Sequence, residues 1–262
     1  MLPAVKNSKI IIFDLDGTIW NWTELIDGAK TVVEKLREKD KRVYFVSNNP
    51  ILSREGVAKK LTQMGIKTSP ESVLLSSTSA AKYFKKNEIN KVYLIGEQGV
   101  VEELSKQGIK IDDDAKHILI SVDRNFNIWK LKNAYDLVER GAKVYTTGIC
   151  KYWEINSHKN RLPAELPIIR ALQAMVDVKV RNLGEPSEAM RNYVMNEIKP
   201  FPEDVVMVGD SVNMDIVFAN RCGFRSVLFV KDKKNLEELN KLKGDEKPSA
   251  VITSLYDLIT GY

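Results

Sequence analysis

The chain has 262 residues, 44% of them hydrophobic, with 40 lysines and arginines against 35 acids and a formal net charge of +5. That length supports one large domain or two modest ones, each with its own core. No apolar run approaches the roughly 18 residues of a membrane span, and the opening Met1-Leu2-Pro3-Ala4-Val5-Lys6 has no signal-peptide core, so a cytoplasmic protein free of membrane is expected.

Charge runs such as Lys231-Asp232-Lys233-Lys234 mix signs and read as solvated faces, not as a nucleic-acid stripe. Cys150 and Cys222 sit in no CxxC spacing, and two histidines, His117 and His158, are too few for an imidazole metal centre.

Apolar strand-like runs alternate with amphipathic helical stretches. This predicts an α/β fold with a doubly wound, mostly parallel, Rossmann-like core. Residues 9–13 read as the first strand and 28–39 as a helix. Residues 42–46 give the next strand, which breaks into Ser47-Asn48-Asn49-Pro50; Ser53 is placed as the N-cap of a helix reaching about Met64. The middle repeats this grammar, with strands near 92–95, 117–122 and 143–147 and helices near 98–106, 129–140 and 164–175. His117 opens its strand and reads as structural. Further on, 205–208 form a strand that stops at Gly209-Asp210, and a helix runs through Ile216 and Ala219 to Gly223. Strands at 226–230 and 250–252 complete the pattern. Joining the outer segments in one sheet gives a discontinuous core, 1–77 and 182–262, with a smaller α/β cap, 78–181, inserted between them.

The chemistry concentrates at strand ends. Asp14-Leu15-Asp16-Gly17-Thr18 leaves the apolar run Ile10-Ile11-Ile12-Phe13 directly, where open parallel sheets place their ligand sites. No basic residue lies nearby in sequence to neutralise the two carboxylates. A bound cation would explain the pair; an acidic turn after a strand is the plain alternative. Three further motifs shift the balance: Ser47 ending the second strand, Gly184-Glu185-Pro186-Ser187 entering a helix, and Gly209-Asp210-Ser211-x-Asn213-x-Asp215. An EF-hand is excluded, because counting from Asp14 puts Ile19 at the glycine position and Leu25 at the bidentate glutamate.

In this order the motifs resemble the haloacid dehalogenase-like phosphatase superfamily, in its NagD-like and nitrophenylphosphatase-like subclass. Ile26-Asp27-Gly28-Ala29, Ser47-Asn48-Asn49, and Asp123-Arg124-x-Phe126 followed by Leu131 and Ala134 add to the likeness. The resemblance implies that Asp14 attacks phosphorus to form an aspartyl-phosphate and that Asp16 serves as general acid and base. It implies magnesium held by the Asp14 carboxylate, the Asp16 carbonyl and Asp210, with Asp215 behind them. Ser47 and the amide of Asn48 would bind the phosphoryl oxygens. Trp20 and Trp22 fall where the family carries a mobile flap, although tryptophans there are more often packing residues. The implied reaction is magnesium-dependent hydrolysis of a small phosphorylated metabolite. A homodimer through the cap is an open option, and a response-regulator receiver is disfavoured by the length and the inserted lobe.

Two departures stand out. The family's third motif reads Gly-Lys-Pro, and here its lysine is Glu185. Lys179 and Arg181 on the preceding strand, or Lys151 or Lys159 from the cap, are the candidate replacements; alternatively Glu185 swings outward. The cap's Asn-x-Asp signature is replaced by Gly148-Ile149-Cys150. Glu185 favours a second reading, a catalytically weakened member that binds a phosphorylated ligand or partner.

Two unit charges about 4 Å apart interact by roughly 4 kcal/mol at an effective dielectric near 20. An anion in the lysine's place should therefore slow the reaction, and Glu185→Lys should raise kcat on a generic phosphomonoester about tenfold or more at saturating magnesium. A fast wild type that gains nothing from the exchange would overturn this electrostatic reading.

Overall fold

The computed structural model describes residues 1–154, 161–231 and 241–260. The chain opens with α1 (Pro3–Lys6), β1 (Ile10–Asp14), α2 (Ala29–Arg37), β2 (Arg42–Ser47) and α3 (Arg54–Gln63). β3 (Val73–Leu75) and α4 (Ser76–Lys86) follow, then β4 (Lys91–Ile95), α5 (Gln98–Lys106) and β5 (Lys110–Ile111). Next come β6 (His117–Ile120), α6 (Ile128–Glu139), β7 (Lys143–Thr146), β8 (Tyr152–Glu154) and β9 (Arg161–Pro163). α7 (Glu165–Gln173), β10 (Val180–Asn182) and α8 (Glu188–Ile198) lead to β11 (Val205–Gly209). A π-helical turn (Val212–Ile216) runs into α9 (Val217–Arg221), and β12 (Arg225–Phe229), β13 (Ala250–Ile252) and α10 (Asp257–Thr260) end the described chain.

The elements build two compact units, residues 1–47, 58–74 and 194–262, and residues 48–57 and 75–193. The first is organised on a six-stranded sheet in the order β13-β12-β11-β1-β2-β3. β1 pairs in parallel with β11 on one side and β2 on the other, and β11–β12 and β12–β13 are also parallel. β1 and β11 are buried along their whole length, which requires the unbroken Ile-Ile-Ile-Phe and Val-Val-Met-Val runs. Ala29, Val32, Val33 and Leu36 recur at helical spacing and form the buried face of α2. From β1 the chain steps one way to β2, and from β11 the other way to β12. The boundary between β1 and β11 is thus the switch point where doubly wound sheets open a crevice.

The second unit holds a five-stranded sheet, β10-β7-β6-β4-β5, in which each pairing is parallel. β8 and β9 form a separate antiparallel pair. Ile118, Ile120 and Val144 pack against Leu131, Ala134 and Leu137 of α6 and Ile168, Ile169 and Leu172 of α7. On the other side Phe84 of α4 and Val100 and Leu104 of α5 pack with Val92, Leu119 and Tyr145.

These units are drawn differently from the expected division at 77/78 and 181/182, because residues 48–57, 75–77 and 182–193 group with the middle of the chain. The Leu183 amide donates to the Thr146 carbonyl at 2.8 Å, extending the second sheet toward the third motif. At Gly99 the start of α5 lies against the main chain of residues 50–52: a Cβ there would sit 2.5 Å from the Leu52 carbonyl carbon and 2.7 Å from the carbonyl oxygens of Pro50 and Ile51. Backbone cannot yield as a side-chain tip can. Gly99→Ala is therefore expected to lower unfolding stability by about 1–3 kcal/mol, read by chemical denaturation; an unchanged midpoint would show that residues 50–52 do not pack there.

Candidate active site

Asp14 is the last residue of β1, and the chain turns sharply after it. The Leu15 carbonyl accepts from the amides of Thr18, Ile19 and Trp20 at 3.2, 2.9 and 3.0 Å, and the Gly17 amide donates to the Trp20 carbonyl at 2.8 Å. Gly17 has φ +97°, and any Cβ on it would overlap the Asp210 carboxylate. Both the backbone and the space demand glycine here. At the end of the adjacent strand, Gly209 plays the same part for Asp215, whose carboxyl fills the place a Cβ would take. Asp215 sits on the π-helical turn after β11, and its Oδ2 accepts from the Ser211 amide at 2.8 Å. Turns of this kind recur at functional sites because they redirect a side chain without ending the helix.

The result is a crowd of like charges. Asp14, Asp210 and Asp215 each bring a carboxylate oxygen within 4.8 Å of the other two. Asp215 is buried and its carboxyl is pushed up to about 8, first by loss of hydration and then by the Asp210 charge, against the Ser211 and Asp210 amides. Asp210, 31% exposed at its side chain, is also raised: burial leads, Asp16 adds to it, and the Lys231 ammonium 3.6 Å away opposes both.

Asp16 faces a different set of partners. Its Oδ1 accepts from the Trp20 indole Nε1 at 2.9 Å, and its Oδ2 from the Ser47 hydroxyl at 3.4 Å. Trp20 is 1% exposed and packs edge-on against Trp22. The Lys60 ammonium of α3 lies 3.2 Å from the Trp22 ring centroid and 4.6 Å from that of Trp20. Burial lowers Lys60 to about 8, while the Asp16 charge pulls it back up. Trp20 is thus both a packing residue and the indole that orients Asp16. Sequence reasoning missed Lys60, which lies 40 residues from Trp20, and gave Lys231 no role; a lysine on the apolar face of a helix after the second strand was the available signal.

The expected residues divide between the two units. Asp14, Asp16, Ser47, Asp210 and Asp215 all belong to the first, whereas Asn48 and Glu185 belong to the second. The Asn48 side chain is spent on the third motif: its Oδ1 accepts from the Glu185 amide at 3.0 Å. Glu185 does not swing outward, being 1% exposed, with its carbonyl accepting from the Asn182 side chain at 3.2 Å. Arg181 is not turned to the third motif, for its guanidinium stacks 4.8 Å over the Tyr83 ring at the opposite end of β10. Lys159 lies outside the described residues. The cap departure at Gly148 has a steric reason: a Cβ there would come within 3.0 Å of the Glu165 carboxyl. Glu165, which sequence reasoning also missed, is buried and pushed up to about 7 by loss of hydration, against hydrogen bonds from its own and the Cys150 amides and from Thr147.

A haloacid dehalogenase-like hydrolase family model matches residues 11–110, and a second, HAD-hydrolase-like, model matches residues 182–258. The sugar-phosphatase AraL of Bacillus subtilis is 30% identical over 223 residues, covering 83% of this chain and 81% of AraL. The chain belongs to the haloacid dehalogenase-like hydrolase family. The p-nitrophenyl phosphatase from Archaeoglobus fulgidus resembles this hydrolase with a TM-score of 0.86 at 28% identity, covering 96% of this chain and 98% of that one. NagD from E. coli K-12 shares the fold, with a TM-score of 0.86 at 21% identity over 97% of this chain and 100% of its own. The hydrolase falls in the branch these two represent. Among its described helices none is long and apolar enough to cross a membrane.

The donor set fits a divalent cation. Three clustered carboxylates, two of them held above their ordinary pKa by burial and mutual repulsion, form an all-oxygen set suited to a hard ion. In the metal-free protein the raised carboxyls favour the folded state while protonated. That contribution is present below about pH 4 and is lost as pH rises through about 8. Without metal, thermal stability should therefore fall over this window. Added magnesium should raise Tm more at pH 8.5 than at pH 5.5, since the ion binds the deprotonated carboxylates. Equal magnesium shifts at the two pH values, measured against chelator, would show that these carboxylates are not the site.

Proposed function

We propose that this hydrolase is a phosphatase that cleaves a small phosphomonoester through an aspartyl-phosphate, with magnesium as its cation. The observation that carries the reading is the contrast at the switch point. Asp14 shares the carboxylate cluster with Asp210 and Asp215, while Asp16, two residues on, is held by an indole and a hydroxyl. Two carboxylates so close in sequence but so differently surrounded suit two roles.

In the first step an Asp14 carboxylate oxygen bonds to phosphorus as the ester P–O bond breaks, and the Asp16 carboxyl gives its proton to the leaving alcohol. In the second, Asp16 takes a proton from water as the water oxygen bonds to phosphorus. The Asp14–phosphorus bond then breaks and inorganic phosphate leaves. Ser47, whose hydroxyl donates to Asp16 at 3.4 Å, would turn it to a phosphoryl oxygen. The Asp14 carboxylate, the Asp16 carbonyl and Asp210, with Asp215 behind them, would hold a magnesium ion, which would supply the positive charge that lets these carboxylates accept a phosphate among them.

The proposed substrate is a small phosphorylated metabolite. AraL and the acid sugar phosphatase of Staphylococcus haemolyticus, 28% identical over 94% of this chain, carry sugar-phosphatase names and make sugar phosphates the first class to assay. Residues 78–181 are proposed as the insert that selects among them.

Asp14→Asn should cut steady-state hydrolysis of p-nitrophenyl phosphate by at least about a thousandfold, some 4 kcal/mol of barrier, with an unchanged circular dichroism spectrum. Wild-type turnover should vanish in chelator and return with magnesium. Full activity in the variant would overturn the nucleophile assignment. A wild type that binds inorganic phosphate without turning over the ester would leave the ligand-binding reading that Glu185 favours.

A further inference from the structure

The second unit carries a cavity of about 900 Å³ that the phosphatase reading does not use. It opens at the amino-terminal ends of β4, β6, β7 and β10, the edge of the parallel sheet opposite the one where such folds usually bind ligands. Its lining is strongly cationic: Lys91, Lys116, Lys143, Lys179 and Arg181 stand against Glu88 and Asp114. Both Lys91 and Asp114 are already paired, with Asp112 at 2.7 Å and Arg140 at 2.8 Å. Lys116, Lys143 and Lys179 have no carboxylate partner among the described residues. Three uncompensated ammonium groups around one concavity repel one another and concentrate anions in it.

The rest of the wall is planar. The Arg181 guanidinium lies over the Tyr83 ring, Tyr83 packs on Tyr145 at 5.8 Å between centroids, and Tyr145 packs on the His117 imidazole at the same distance. The His117 Nδ1 is buried and has no hydrogen-bond partner. Burial and the Lys143 charge hold its pKa down, so the ring presents a neutral face rather than a further cation. Ile89, Ala142 and Val178 give the cavity an apolar portion that an inorganic anion would leave unused. The volume falls in the range of small-ligand sites.

We propose that this cavity is a binding site for a nucleoside phosphate, its phosphates taken by Lys116, Lys143 and Lys179 and its base laid on the outer face of the exposed Arg181 guanidinium, which the Tyr83 ring backs. Anion capture by ammonium groups and stacking on a guanidinium face backed by an aromatic ring are the two interactions the lining offers, and a nucleotide uses both. The inference does not depend on the phosphatase reading, since every lining residue belongs to the second unit.

The test uses the full chain and adenosine 5′-(α,β-methylene)diphosphate, whose bridging carbon resists hydrolysis between its two phosphorus atoms. Calorimetry should show saturable binding, weakened about tenfold or more, roughly 1.4 kcal/mol, in the Lys116→Gln/Lys143→Gln double variant. That variant should keep its p-nitrophenyl phosphate kinetics. With only two histidines in the sequence, the His117 ring resonance, assigned through His117→Gln, should move on titration of the wild type and stay still in the double variant. Adenosine alone and pyrophosphate alone should each bind at least about tenfold more weakly. Pyrophosphate binding as tightly as the nucleotide would overturn the assignment, as would no binding at millimolar nucleotide or binding indifferent to the lysine exchanges. Asp14→Asn should leave the affinity unchanged; loss of binding there would assign the nucleotide to the carboxylate cluster instead.

Discussion

Like-charge crowding is the constraint from which the first unit is built. Two carboxylates at 4.8 Å in an effective dielectric near 20 repel by roughly 3–4 kcal/mol, and three of them must be held in place by something other than their own preference. The framework that does so is backbone. β1 and β11 are buried end to end and pinned between parallel neighbours, so the residues leaving them have little freedom. Glycines at 17 and 209 let the two chain segments close until carboxylates occupy the space of side chains. Amide groups of Asp210 and Ser211 turn toward Asp215, and Lys231 reaches Asp210 from the far end of β12. Crowding of this kind is tolerable where a cation offsets it, and it concentrates chemistry at one point.

Asp16 escapes the crowd through aromatic chemistry. Its carboxylate meets an indole N–H, and the cation nearest to that indole is held by ring faces instead of a carboxylate. An ammonium on a tryptophan face is partly dehydrated, which lowers its pKa, yet it still contributes positive potential to the Asp16 surroundings. The two tryptophans therefore set the environment of Asp16 from both ends, by a hydrogen bond and by placing a charge. Asp14 lies instead in the cluster with Asp210 and Asp215. Two acids separated by one leucine acquire distinct settings from the turn between them.

Most of this framework was legible because it is local. The core strands are β-branched runs of four to six residues, and each was found within a residue or two: 9–13 against Ile10–Asp14, 42–46 against Arg42–Ser47, 205–208 against Val205–Gly209. The helix at 98–106 matches Gln98–Lys106. What escaped were elements whose pattern is weak. α4 begins Ser-Ser-Thr-Ser, residues that read as turn formers, yet all four are buried and Ser79 donates to the Leu183 carbonyl at 2.8 Å. β3 and β5 have three and two residues, too few for a period to show. At the site, the acids were legible because they follow strands. Lys60 and Lys231 were not, because a lysine's reach is decided by packing that no spacing records. The mixed run after Lys231 lies outside the described residues.

The two departures from the family pattern turn out to share one corner of the second unit. The Thr147 carbonyl lies where a Cβ on Gly184 would be, so the end of β7 and the third motif are in main-chain contact. The residue after Thr147 is Gly148, whose lack of a side chain leaves room for the buried Glu165; the residue after Gly184 is Glu185, whose amide is tied to Asn48. A signature normally written Asn-x-Asp and a lysine normally set in the third motif have thus both changed within a few residues of a single backbone contact. A larger side chain at 148 would press on the Glu165 carboxyl, which is itself pushed up to about 7 by burial. Restoring one residue of the family pattern therefore tests the electrostatics of that residue against the packing of all the others.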